Sequence, residues 1–127
     1  MRVDGTAAAE VLDVEGTLNR FGGDTDLFRE MASIVLADAP QLAQALADSV
    51  DARDAQAIQM KAHAIKGLVI GCGGVCAGKI AQKLEDAGRD DKLDDAADQL
   101  AVFKTELQRF LDALRAHPYT MLTGDVG

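Results

Sequence analysis

The chain has no tryptophan, one tyrosine and two prolines. Its β-branched residues are sparse and show no sustained alternation, which excludes a sheet as the organising element. Basic residues are outnumbered, giving a net charge of −8. No basic stripe exists to neutralise phosphates, so no nucleic-acid partner is expected. No apolar run reaches the length of a membrane span. Acids interrupt the first residues, MRVDGTAAAEVLDVEG, leaving no apolar core for a signal peptide, and a cytoplasmic location is expected. Cys72 and Cys76 are the only cysteines. Two thiols without a second pair cannot close a structural zinc site, so no metal is expected. They read as small buried hydrophobes, with a disulfide or a redox role as the alternatives.

What is present in quantity is Ala, Leu, Asp and Gln, the composition of helices packed through small side chains. The 127 residues suffice for one all-α domain, with residues 1–10 as a flexible lead-in, 11–116 as the folded body and 117–127 as a flexible tail. Asp13 caps a short helix whose apolar contacts are Leu18 and Phe21 and which Gly22 and Gly23 end. Asp24 caps the next, with Leu27, Phe28, Met31, Ile34 and Val35 at three- and four-residue steps. Pro40 is expected to kink or interrupt it before Leu42, Leu46 and Val50 resume the stripe. Asp51 or Asp54 opens a third helix, ended by Gly73 and Gly74. A fourth runs from about Val75 to Ala87 and stops at Gly88. The last carries Leu93, Leu100, Phe103, Leu107, Leu111 and Leu114, and His117-Pro118 closes it. Four long helices with short connections imply an antiparallel four-helix bundle, the short additional N-terminal helix acting as a lid.

The third long segment, DAQAIQMKAHAIKGLVIGCGG, carries the chemistry. At about 100° per residue, Ile58, Ala62, Ile65, Val69 and Cys72 gather into a core stripe. His63 falls off it, with Gln59, Lys66, Gly67 and Ile70 as axial neighbours. An imidazole held at solvent has a free nitrogen lone pair, which attack on a phosphoryl group requires. Lys66 puts a cation within reach. Gly67 costs about 1 kcal/mol relative to Ala in mid-helix and removes the Cβ that would crowd an approaching group. Taken singly, each has a plainer reading: a surface histidine, a solvated lysine, a helix–helix contact.

The run Ala62-His63-Ala64-Ile65-Lys66-Gly67, with Gly73 ten positions after the histidine, resembles the histidine phosphotransfer (HPt) family of two-component phosphorelays. Asp24 opening the second helix and the Leu84-Glu85 pair agree, and the resemblance covers about residues 10 to 115. It implies that His63 is the phosphoacceptor. It also implies that Glu85, 22 positions on, orients the imidazole, although by itself Glu85 reads as a solvated helix residue. Leu68, Val69 and Ile70 are bulkier than the family's usual small residues after the lysine–glycine pair. Ile70, with Gln59, would then contribute to partner docking. The resemblance implies a phosphocarrier without kinase activity or cofactor of its own, serving response-regulator receiver domains that bring Mg²⁺, and a sensor (hybrid) histidine kinase. A monomer is expected. Two alternatives stand beside it: an HPt-like helical adaptor without phosphotransfer, and the phosphorylated input domain of a chemotaxis-type kinase.

Overall fold

A computed structural model describes residues 8–120, and all the regular structure among them is helical: α1 (Ala8–Val11), α2 (Val14–Arg20), α3 (Thr25–Asp51), α4 (Ala55–Gly71), α5 (Val75–Arg89) and α6 (Ala96–Ala116). Three of the starts follow from aspartates. Asp13, Asp24 and Asp54 each accept from a backbone N–H three residues on, at 2.9, 3.0 and 3.1 Å, satisfying one of the donors a helix leaves unpaired at its N-terminus. Asp54, not Asp51, opens α4; Asp51 is the last residue of α3.

α3 packs on α4, α4 on α5, α5 on α6, and α6 back on α3. Short connections at 52–54, 72–74 and 90–95 make successive helices antiparallel, the expected four-helix bundle. Phe28, Phe103, Phe110, Leu46, Ile58, Ile65, Leu84 and Leu114 are fully buried along its axis. Among the described residues no helix is long and apolar enough to cross a membrane.

The structure departs from the sequence reading at five places. α3 continues through Pro40 without interruption; Pro40 is exposed, so the carbonyl it cannot serve lies on the solvent side. Gly88 does not stop α5. It is buried inside the last turn, and a Cβ there would lie 2.6 Å from both Ala55 O and Gln59 N. The stop is made by Asp91 in the left-handed region (φ 52°), with Lys92 N–H donating back to Ala87 O at 2.9 Å. Leu93, expected to open the last helix, is buried ahead of it, and α6 begins at Ala96. Finally, residues 117–120 do not leave the bundle: His117 packs tilted and Tyr119 edge-on against Phe28, ring centroids 5.8 and 6.2 Å away. α1 likewise occupies part of the expected lead-in. The remaining segments expected to be flexible, 1–7 and 121–127, lie outside the described residues.

α2 lies over the turn between α4 and α5. Asp13 N–H donates to Gly73 O at 2.8 Å, and Gly73 (φ 93°) leaves no room for a Cβ beneath Asp13 O. Arg20 donates to Ile70 O at 3.2 Å, giving the C-terminus of α4 a cation and one carbonyl a partner.

Candidate functional site

α4 presents two faces. Ile58, Ala62, Ile65 and Val69 are buried in the core, which turns His63 outwards, its side chain 69% exposed. The close approach of α5 at Gly88, against backbone near the start of α4, brings Glu85 alongside the histidine. His63 Nδ1 lies 2.9 Å from Glu85 Oε2. A carboxylate only accepts, so in the neutral ring Nδ1 carries the proton and Nε2 keeps its lone pair. Lys66 Nζ stands 2.7 Å from Glu85 Oε1 as an ion pair, and among the described residues that buried oxygen accepts no hydrogen bond of good geometry. The Lys66 ammonium beside it holds the Glu85 carboxyl below the usual carboxylate range; partial burial opposes this and the bond to His63 reinforces it.

The site residues read from the sequence fall into place unequally. His63, Lys66 and Glu85 form one connected group. Lys66 is not a free solvated cation: its side chain is 20% exposed and also donates to Gln82 Oε1 at 2.8 Å. Gly67 is exposed, and a Cβ added to it would meet nothing within 4 Å, so no contact among the described residues requires a glycine there. Gln59 joins Gln56, Met60, His63 and Glu85 around an open hollow of about 520 Å³. Ile70, exposed as expected, lies apart from that hollow. It borders a separate groove of about 300 Å³ with Lys66, Val75, Gly78, Lys79 and Gln82, its side chain filling the space a Cβ on Gly78 would take. The sequence reading missed Met60, Gln82, Asp86 and Arg89. The three on α5 share a helix face with Glu85, and that spacing was the available signal.

Of the cysteines, Cys72 is buried as the plain reading expected, whereas Cys76 is only half-buried. Both are free. Burial pushes the Cys72 thiol up to about 11. Burial and a hydrogen bond to the Glu106 carboxylate push Cys76 up to about 11 as well. Neither is a thiolate at neutral pH.

The depressed Glu85 pKa carries a stability consequence. A carboxyl whose folded pKa lies below its unfolded value contributes stability above the unfolded value and loses it as pH falls through the folded one. Wild type is therefore expected to exceed Glu85→Gln in stability at neutral pH by about 1 kcal/mol, and the gap should close below the ordinary carboxylate range. Urea denaturation at a series of pH values measures it; a gap unchanged down to strong acid would contradict the assignment.

The site is thus a histidine at solvent on a helical bundle, oriented by a carboxylate from the neighbouring helix. The Hpt domain family model matches residues 30–117, more than half of the chain, and the chain belongs to that family, whose members work with receiver domains and hybrid kinases in phosphorelays. Two solved structures share the fold. Histidine-containing phosphotransfer protein B from Pseudomonas aeruginosa PAO1 superposes with a TM-score of 0.76 at 21% identity, over 87% of this chain and 94% of that one. The HPT domain of the Hpt sensor hybrid histidine kinase from Shewanella gives 0.74 at 18% identity, over 84% and 92%. No curated protein matches the chain.

Proposed function

We propose that His63 is the phosphoacceptor and that the chain relays a phosphoryl group between receiver domains. The observation that carries this is the pairing of an exposed His63 with Glu85 at Nδ1, which leaves Nε2 as the free nucleophile facing solvent. Nε2 attacks the phosphorus of a receiver phosphoaspartate. The N–P bond forms as the P–O bond breaks, and the aspartate carboxylate leaves with the electron pair. The ring, still protonated at Nδ1, then bears positive charge, which the Glu85 carboxylate offsets. Lys66 faces the phosphoryl oxygens, and the open space over Gly67 lets the partner backbone come close. Transfer to a second receiver aspartate reverses these steps.

The receivers supply Mg²⁺ and the remaining catalytic groups, and a sensor (hybrid) histidine kinase stands upstream. The chain acts as a cytoplasmic monomer. Gln59 and Ile70, bordering the two hollows on either side of this arrangement, contribute to docking.

The test mixes the purified chain with a panel of Mg²⁺-bound receivers carrying radiolabelled phosphoaspartate. Label that is acid-labile and base-stable is the expected result, the signature of phosphohistidine. A folded chain that takes no label from any receiver favours the adaptor, and one labelled only by a supplied kinase domain with ATP favours a kinase input domain.

A further inference from the structure

Gln82, Glu85, Asp86 and Arg89 recur on α5 at i, i+3, i+4 and i+7 and share one face. Glu85 holds the histidine; Gln82 reaches the same group by another route. Lys66 Nζ donates to Gln82 Oε1 at 2.8 Å, and Gln82 Nε2 donates to Asp86 Oδ1 at 2.8 Å. Arg89 approaches the same Asp86 oxygen at 3.1 Å. An amide has one accepting and one donating end, and a carboxylate takes only donors. Asp86 therefore turns the Gln82 NH₂ towards itself and leaves the amide oxygen for the ammonium. The flipped amide would set NH₂ against ammonium and oxygen against carboxylate, two repulsions in place of two attractions.

An ammonium has three N–H donors. One goes to Gln82 Oε1, and the ion pair with Glu85 Oε1 lies on the same α5 side, which leaves donor capacity for a phosphoryl oxygen. A free lysine would surrender its rotamer freedom on meeting the phosphoryl group, whereas one already held does not.

We propose that Gln82 is a positioning residue: it holds Lys66 Nζ beside the His63–Glu85 pair, with Asp86 fixing its amide, so that the phosphoryl group meets a cation already in place. This rests on His63 being the acceptor.

The test is a double-mutant cycle on initial rates of label uptake, using wild type, Gln82→Met, Lys66→Ala and the double variant, with thermal denaturation of each. Methionine matches the length of glutamine without its acceptor. Gln82→Met is expected to slow uptake about fivefold, the scale of one net hydrogen bond, and to add no slowing in the Lys66→Ala background. Equal slowing in both backgrounds, or none in either, overturns the proposal, because a purely structural or docking role would not depend on Lys66. A second readout needs no phosphotransfer: solvent exchange of the Lys66 ammonium protons, followed by NMR, is expected to be faster in Gln82→Met, and unchanged exchange overturns the proposal as well. A wild-type chain that takes no label defeats the functional reading instead, so the two failures are distinguishable.

Discussion

A His63→Gln chain is expected to take no phosphoryl label while remaining folded. The N–P bond requires a nitrogen lone pair, and a side-chain amide nitrogen has none to offer, so uptake should fall below about one part in 10³ of wild type. The fold should barely register the change. His63 is mostly exposed and makes one hydrogen bond, to Glu85, and the glutamine NH₂ can donate to the same carboxylate. A surface substitution of this kind stays within about 0.5 kcal/mol, a melting shift of about 2 °C. His117, the other histidine, offers no substitute. It packs against Phe28 and Tyr119, and its Nδ1 accepts from Tyr119 N–H at 3.2 Å. Autoradiography of both chains after mixing with a phospho-receiver, beside circular-dichroism melts, measures the two halves of the expectation. Acid-labile label persisting on the variant would move the acceptor away from His63.

The site was legible in the sequence only where one helix sufficed to show it. His63 and Gly67 stand off the stripe formed by Ile58, Ala62, Ile65 and Val69, and helical geometry alone turns both to solvent. Glu85 lies on another helix, and no periodicity ties it to His63, so only the family resemblance suggested the pair. Lys66 was read as a cation within reach of the acceptor, but its anchoring was hidden for the same reason: its partners, Glu85 and Gln82, both come from α5.

The fold shows a similar division. Aspartates announced the helix starts because capping is local chemistry, legible from Asp13, Asp24 and Asp54. Helix ends were harder. Arg53 and Asp91 adopt the left-handed conformation that closes α3 and α5, a role more often given to glycine. The packing of His117 and Tyr119 against Phe28 is a contact between distant parts of the chain, which no local pattern encodes.

Gly88 has the largest expected effect on stability, and the reason it was misread as a helix stop is the reason for that effect. Its missing Cβ is occupied space: 2.6 Å from Ala55 O, 2.6 Å from Gln59 N and 3.0 Å from Gln59 Cα. All three atoms are backbone at the start of α4, so no rotamer change can make room. Gly88→Val is expected to force α4 and α5 apart at a cost of about 3 kcal/mol or more, lowering the melting temperature by about 10 °C. The same separation reaches the chemistry. Gln59 lies about one turn before His63, and Glu85 lies about one turn before Gly88. A shift of about 1 Å at the crossing would take the 2.9 Å contact between His63 and Glu85 past hydrogen-bonding range, and phosphoryl uptake should fall with stability. Gly67→Ala is the matched control, since its Cβ meets open space; helix propensity predicts a gain of about 0.5–1 kcal/mol there. Thermal melts of the two variants should therefore shift in opposite directions. A Gly88→Val chain that melts with wild type would mean that α4 and α5 do not approach closely, and with that the geometry that brings Glu85 to His63 would be lost.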